Sequence, residues 1–151
     1  MEYFTKGLFT KLLYLICPIE MSTQIKSRFS TPDVQAMTRD LRSLNLLGQK
    51  LANIYDINDK VYLFKFAIPG VTEKVVLLME TGIRFHTTKY AREKNELPSP
   101  FSMKLRRHLR NKRLTDIKQL GNDRVVDFKF GSGDTTNHII LELVCTIHRY
   151  F

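Results

Sequence analysis

The apolar positions between residues 30 and 48 repeat with the period of an α-helix. Ser30 and Pro32 supply a hydroxyl cap and a proline in the first turn, and Asp33 adds the acid that a helix N-terminus favours. Gly48 lies where a C-terminal cap glycine is expected. The apolar residues that follow the cap have a period of about 3.6, at Val34, Met37, Leu41, Leu44 and Leu47. The pattern predicts a helix over residues 32–47 that packs this face on a core.

Beyond residue 50 the hydrophobic period changes to two, which is typical of strands. Apolar runs bounded by turn residues predict strands over residues 51–57, 61–68, 75–79, 83–86, 114–120, 124–130 and 138–144. A second cap signal, at Ser99 and Pro100, begins a helix in which Phe101, Leu105 and Leu109 recur every four residues. The order of one helix, four strands, one helix and three strands predicts an α+β domain with a mainly antiparallel sheet and two helices.

The composition is that of an ordinary globular domain with an excess of positive charge. The chain has 151 residues, 43% of them hydrophobic and 26% charged, and a formal net charge of +9. We therefore expect one domain with a polyanionic partner. Two cysteines and four scattered histidines lack the spacing of a disulfide framework or a metal site. Since no nucleophile elbow, phosphate-binding loop or dinucleotide fingerprint occurs either, the residues predict a binding domain without a catalytic site, a metal or a cofactor.

The positive charge is concentrated in the second predicted helix. Residues 103–113 contain six Lys or Arg, one His and no acid. Such a surface can neutralise phosphates and release their counterions. A solvated helix face and contact with anionic lipid remain open as alternatives, although a solvated face usually has acids about four residues away. The basic cluster consists of Lys104, Arg106, Arg107, Arg110, Lys112 and Arg113.

Two acids and one arginine are further candidates for contact with RNA. Asp123 and Arg124 follow Gly121 between two predicted strands. The pair is either a turn acid beside an exposed arginine or an arginine fork, oriented by the neighbouring carboxylate, that binds a phosphate or a base edge. Asp33 needs no role beyond the first turn of its helix.

The first 25 residues differ from the rest of the chain. Residues 8–19 form an apolar run, interrupted by Lys11, that is shorter than the span of about 20 residues that a bilayer requires. No small-x-small cleavage site follows this run, and Met21 is a second candidate initiator. We therefore predict an extension over 1–25 ahead of a domain that begins near Lys26, and we expect no membrane partner.

Several segments, in this order along the chain, resemble the N-terminal NFACT domain of NEMF-like factors of ribosome-associated quality control. They are KSRFS at 26–30 running into Asp33, LANIYD at 51–56, GIRFHTT at 82–88, FSMKLRRHL at 101–109, RL at 113–114 and KQLGNDRVVDF at 118–128. Bacterial relatives of this family were first described as fibronectin-binding proteins. The resemblance covers residues 26–143, residues 1–25 have no counterpart, and a tail over 144–151 diverges. We therefore expect a truncated chain with a partial NFACT N-terminal domain.

The resemblance implies a function in translation. Proteins of this family bind the large ribosomal subunit with a stalled nascent chain still attached to tRNA, recruit aminoacyl-tRNA for template-free C-terminal tailing, and help to bring in a ubiquitin ligase. The implied partners are therefore tRNA, the large subunit with stalled peptidyl-tRNA and that ligase, in the cytoplasm and also in the nucleus. The family ties an Asp near the N-terminus and an Asp-Arg pair to tRNA handling, and these fall on Asp33, Asp123 and Arg124.

An enzyme is the main alternative, because the NFACT N-terminal domain also resembles the N-terminal domain of formamidopyrimidine-DNA glycosylases. Those enzymes use an N-terminal proline amine as the nucleophile. Pro32 is internal, and its nitrogen is locked in a peptide bond. We therefore expect a glycosylase-like fold in a protein that is not an enzyme. A protein-interaction module without RNA binding is the third interpretation, and its interactions would be insensitive to salt.

Overall fold

The computed structural model describes residues 26–70, 74–90, 92–93, 95 and 97–144, and the predicted order of elements is confirmed there. The helices of this part are α1 (Thr31–Ser43) and α2 (Pro100–Leu109). The strands are β1 (Lys50–Asn58), β2 (Val61–Ala67), β3 (Val75–Glu80), β4 (Arg84–Thr88), β5 (Leu114–Gln119), β6 (Val125–Phe130) and β7 (Asn137–Glu142). Neither described helix is long and apolar enough to cross a membrane. The predicted extension over 1–25 and all but residue 144 of the tail lie outside the described residues.

The strands form two antiparallel sheets, which confirms the α+β class and divides the sheet that was predicted as one. The first sheet has the order β1-β2-β3-β4 and the second has the order β5-β6-β7. In sequence, α2 and the loop before it separate β4 from β5. In space, the start of β5 lies beside the start of β1. Leu51 N–H donates to Lys112 O at 2.9 Å, and Leu114 N–H donates to Gln49 O at 3.0 Å. The two sheets are therefore joined by backbone hydrogen bonds at this corner.

The larger of two hydrophobic clusters among the described residues lies between the two sheets and forms the core. Alternate residues of β6 face it, since Val126, Phe128 and Phe130 are buried. The rings of Phe66 and Phe130 stack with centroids 6.5 Å apart, and those of Phe85 and Phe128 meet edge to face at 5.8 Å. Such ring pairs stabilise the core beyond the burial of their area. Because both sheets contribute to this core, they form one folding unit.

Helix α1 begins where the cap signal predicts. The carboxylate of Asp33 accepts hydrogen bonds from the backbone N–H of Ser30 at 2.9 Å and from its hydroxyl at 2.6 Å. These bonds satisfy a backbone donor that the helix itself leaves without a partner. Val34 and Leu41 are fully buried and Met37 is partly buried against the core, so this part of the predicted apolar face is confirmed.

The end of α1 differs from the prediction. Leu44, expected on the buried face, is the C-cap residue and is 53% exposed. The left-handed residue after the cap is Asn45, with φ of 53°, and not Gly48. Because Asn tolerates this conformation, the helix can end at Ser43, before the glycine is reached. The chain then turns inward and buries Leu46 in the core.

Helix α2 packs on β1 and leaves most of its basic side chains in solvent. Its cap is Ser99, whose side chain accepts a hydrogen bond from Ser102 N–H at 3.1 Å. Ser102 and Leu109 are buried and Leu105 is partly buried, so the helix rests on a narrow face. Phe101, predicted in the apolar stripe, is 54% exposed and packs edge-on against a tyrosine of β2 with centroids 5.5 Å apart.

Candidate nucleic-acid interface

Within the basic cluster, Arg106 is fixed to the first sheet. Its Nε donates a hydrogen bond to Ile54 O at 2.7 Å, and its guanidinium carbon lies 5.4 Å from the centroid of the Tyr55 ring. A cation over an aromatic face is attracted by the ring quadrupole. These two contacts hold α2 against β1 and leave Arg106 partly buried. We infer that Arg106 mainly serves the fold.

The last two members of the cluster are also held by main-chain oxygens. Arg113 Nη1 donates to Gly48 O at 2.7 Å, and Lys112 Nζ donates to Thr135 O at 2.5 Å. A carbonyl group bears no net charge, so these bonds fix the direction of the side chains without neutralising them. Both cations therefore remain part of the positive surface.

The other three cations, Lys104, Arg107 and Arg110, are exposed. None of their side chains makes a hydrogen bond or an ion pair with any residue that the structure describes. The ion pairs of the described residues all lie elsewhere, on Lys26, Arg42, Arg84 and His138. A solvated helix face would normally be balanced by nearby acids, whereas this surface is not balanced within the described chain.

Asp33 is committed to the start of α1. Besides its bonds from Ser30, its carboxylate pairs with Lys26 Nζ at 3.0 Å. The hydrogen bonds from Ser30, followed by that from Lys26, lower the pKa of Asp33 to about 2. The carboxylate is thus ionised near neutral pH and already has partners. Its structural role is sufficient to explain the residue, and any contact with RNA would use the exposed remainder of the side chain.

Asp123 and Arg124 lie in the hairpin turn between β5 and β6. Arg124 Nη1 donates to Phe29 O at 3.4 Å, and Gln119 Nε2 donates to Asp123 O at 2.8 Å. The Asp123 carboxylate makes no hydrogen bond or ion pair within the described residues. The guanidinium is therefore oriented by a main-chain oxygen near α1, and the structure gives no contact through which Asp123 would hold the fork.

An open cleft of about 300 Å³ lies beside the N-terminus of α1. Phe29, Met37 and part of Asp33 line it, and Phe29 N–H donates to Ile83 O at 2.9 Å, which joins this segment to the start of β4. The cleft also has three cations on its lining that the sequence analysis did not assign to a site. These cations are Lys26, Arg28 and Arg84. All three lie in segments that carry the family resemblance, and that resemblance was the only feature of the sequence that could have indicated them.

The candidate residues form two groups at opposite ends of α1. At its N-terminal end, Gln119 Nε2 lies 3.5 Å from Thr31 O, next to the Asp-Arg turn. At its C-terminal end, Arg42 pairs with Asp116 near the start of β5, which directly follows the basic cluster. Since α1 has 13 residues, its ends lie about 20 Å apart at 1.5 Å per residue. A ligand that contacts both groups therefore has to span about 20 Å.

Asp56 is a buried carboxylate that the sequence analysis did not single out. It lies on β1, is 4% exposed, and accepts hydrogen bonds from Asn95 Nδ2 at 3.1 Å and from Ser99 N–H at 3.3 and 3.4 Å. Burial raises the pKa of Asp56, but the surrounding donors of Ser102, Asn95 and Ser99 outweigh it, and the pKa is lowered. The Ser102 hydroxyl also lowers the pKa of Asp56, but it forms no hydrogen bond with a described group. Asn95 and Ser99 are therefore the donors that define the site.

Comparison with known proteins agrees with the resemblance seen in the sequence. Residues 31–148 match the family described as NFACT N-terminal and middle domains. Over 119 residues the chain is 50% identical to the ribosome quality control complex subunit NEMF homolog of Drosophila melanogaster and 48% identical to the ribosome quality control complex subunit NEMF of Homo sapiens. Each alignment covers 79% of this chain but only 12% and 11% of the two relatives.

The fold is similar to the N-terminal part of the fibronectin/fibrinogen-binding protein from Streptococcus suis. The TM-score is 0.66 at 24% identity, and the match covers 80% of this chain and 46% of that one. This likeness shows the fold alone, and it is not a likeness to a formamidopyrimidine-DNA glycosylase, so that part of the predicted fold class is not confirmed. The match to the family and the identity to its eukaryotic members together show that the chain belongs to the NFACT N-terminal domain family.

Proposed function

We propose that this domain binds tRNA without catalysis, as part of a factor of ribosome-associated quality control. The observation that supports the proposal best is the basic cluster, whose cations make no ion pair with a described acid. Lys104, Arg107 and Arg110, whose side chains are exposed and have no partner among the described residues, are suited to phosphates, because binding releases the counterions of the nucleic acid. The names of the relatives point to the same process, ribosome quality control.

The proposal gives the two groups of residues different tasks. The basic cluster neutralises phosphates and gives affinity that does not depend on sequence. Arg124, about one helix length away and next to the exposed Asp123, makes a directed contact with a phosphate or a base edge near the start of α1, the helix that contains Asp33. Together the two groups would select an RNA of defined shape over an unstructured strand.

The wider role extends beyond the part of the relatives that this chain spans. We propose that the domain helps its factor to recognise large ribosomal subunits with stalled peptidyl-tRNA and to support template-free C-terminal tailing. A ubiquitin ligase would be a further partner, and the cytoplasm, with the nucleus, would be the location. The names of the relatives as subunits of a ribosome quality control complex support this assignment.

The proposal excludes glycosylase chemistry because of the position of one residue, Pro32. Pro32 lies in the first turn of α1, and its nitrogen is acylated by Thr31, so it cannot attack a sugar as a free amine. A DNA duplex with an oxidised guanine should therefore remain intact in the presence of the protein. Release of the damaged base at a rate proportional to protein concentration would favour the enzyme.

A salt titration tests the RNA-binding proposal. The chain is titrated with tRNA at several salt concentrations, beside the Arg107→Gln variant and a Lys129→Gln control that removes the same charge from β6. Loss of one phosphate contact should make the salt slope shallower by about one unit and weaken binding about five- to eightfold at about 0.1 M salt. The control should bind like the parent. Binding that ignores salt would favour a protein-interaction module, and equal losses in both variants would mean that α2 is not the contact.

A further inference from the structure

The N-terminus of α2 lacks an acid of its own. Its first turn contains no Asp or Glu, although a negative charge there would favour the helix dipole. The charge is supplied across the fold by Asp56 of β1, whose carboxylate accepts hydrogen bonds from the N–H of the cap residue Ser99 and from the side chain of Asn95. Asn95 N–H also donates to Asp56 O at 3.3 Å. One buried residue thus joins the loop before α2 to the N-cap of the helix.

Strand β1 holds α2 at two points. Asp56 binds the cap of the helix, and Ile54 O accepts the hydrogen bond from Arg106 farther along it. A helix held at its start and again two turns later has little freedom to rotate or tilt about its axis. The direction in which the exposed cations project is therefore determined from β1.

We propose that Asp56 is a positioning residue for RNA binding: its carboxylate fixes the start of α2 and thereby directs Lys104, Arg107 and Arg110 toward the phosphates. The inference rests on the proposed function of the basic cluster. Asp56 itself is buried and does not touch the RNA.

The proposal predicts an effect of opposite sign to simple electrostatics. Removing a negative charge close to a basic surface should tighten the binding of a polyanion, because less repulsion remains. If the carboxylate positions the helix, its removal should weaken binding even though no cation is lost. The sign of the change in affinity therefore separates positioning from charge.

The test compares Asp56→Asn with Asp59→Asn in the whole chain. Asp59 is an exposed acid in the turn after β1. Its main-chain O accepts a hydrogen bond from the Tyr62 hydroxyl at 3.1 Å, and Asp56 lies opposite Tyr62 in the strand pair, so the two acids lie near the same ring. That ring packs on Phe101 in the first turn of α2. Asp59→Asn is thus a control that removes an equal charge from a nearby site without disturbing the cap.

We expect Asp56→Asn to bind tRNA about five- to eightfold more weakly at about 0.1 M salt, with a slope shallower by about one unit, as for the loss of one phosphate contact. Asp59→Asn should bind as tightly as the parent or more tightly. The slopes are measured where circular dichroism shows both variants folded, because a change in slope then reports the geometry of contact and not stability. An Asp56→Asn variant that binds as tightly as Asp59→Asn would overturn the inference.

A second variant covers the case in which Asp56→Asn does not fold. Asn95→Ala removes one donor to the carboxylate from an exposed residue and should speed hydrogen exchange at Ser102 and Met103, with a smaller but measurable loss of tRNA affinity. Faster exchange with unchanged affinity would refute positioning. A parent chain that binds no tRNA at low salt would instead refute the proposed function, whatever the exchange shows.

Discussion

Arg106 and Arg107 are consecutive arginines for which the structure predicts opposite consequences of the same substitution. Arg106 is partly buried, bonded to Ile54 O and placed over a tyrosine ring. Arg107 is exposed and has no partner among the described residues. Replacing each in turn by Met keeps an unbranched, flexible side chain and removes the charge and all donors.

The magnitudes follow from these contacts. A hydrogen bond from a charged group contributes about 1.5–3 kcal/mol, and a cation over an aromatic ring about 0.5–1 kcal/mol at a partly exposed site. Since Met retains some packing, Arg106→Met should lower the free energy of unfolding by about 2 kcal/mol. Arg107→Met should change it by less than about 0.5 kcal/mol, as is usual for surface positions.

The two variants should rank in the opposite order by their effect on RNA affinity. Arg107→Met should weaken tRNA binding about five- to eightfold at about 0.1 M salt, because one phosphate contact is lost. Arg106→Met should weaken it no more than about twofold, since this cation touches no phosphate and the Asp56 carboxylate still fixes the start of α2. Urea melts and tRNA titrations of the two variants check both orders. Two variants that lose RNA affinity equally while remaining equally stable would refute the distinction between a fixed and a free arginine.

Two further predictions concern α1. Leu41→Ala should lower the free energy of unfolding by about 2.7–5 kcal/mol in urea melts, because the side chain is fully buried. Leu44→Ala should cost less than about 1 kcal/mol, because half of that side chain is exposed and no cavity forms; equal costs would place both leucines in the core. The lowered pKa of Asp33, about 2, means that its ionised form stabilises the fold above the ordinary value of 3.8, and this contribution is lost as the pH falls through the folded pKa. Asp33→Asn should therefore be less stable than the parent near neutral pH, with a difference that shrinks below pH of about 4; a constant difference would mean that the charge is irrelevant.

The elements could be predicted because their signals are local. Ser30 with Pro32 and Ser99 with Pro100 mark both helix starts, and the structure confirms each. The predicted end of α1 was wrong because the apolar period continues through Leu44, although the helix has already ended at Ser43. Where a helix stops depends on what the following residues can bury, and that is decided by the tertiary fold.

The candidate site also has one part that could be predicted from the sequence and one part that could not. The basic cluster is visible in the sequence as a run of charge, and it remains without acid partners among the described residues. Asp56 gave no signal because its partners lie 39 and 43 residues farther along the chain. A single acid on an otherwise alternating strand is indistinguishable in sequence from a solvent-facing residue. Only the packing of α2 on β1 shows that this carboxylate is buried and bonded.

The separation of the two groups of candidate residues predicts how their contributions combine. Arg124 lies near the N-terminal end of α1, and Arg110 lies beside Asn111, whose N–H donates to Leu51 O at 2.8 Å near the other end. Groups about 20 Å apart without shared partners should act independently, so the losses of Arg110→Gln and Arg124→Lys on tRNA should add as free energies within about 0.5 kcal/mol.

A shorter RNA should distinguish the contribution of Arg110 to affinity from that of Arg124. In an A-form RNA stem, which rises about 2.8 Å per base pair, a length of about 20 Å corresponds to about seven base pairs. A hairpin with a four-pair stem is therefore too short to reach both groups along its axis, and it should occupy the basic cluster, where the charge is densest. Arg110→Gln should weaken both RNAs, while Arg124→Lys, which keeps the charge but loses the bidentate fork, should weaken only tRNA. Competition titrations at fixed salt measure the parent, the two single variants and the double variant against both RNAs. If Arg124→Lys weakened the short hairpin as much as tRNA, the two groups would belong to one continuous surface, and the proposed division of tasks between phosphate neutralisation and directed contact would be wrong.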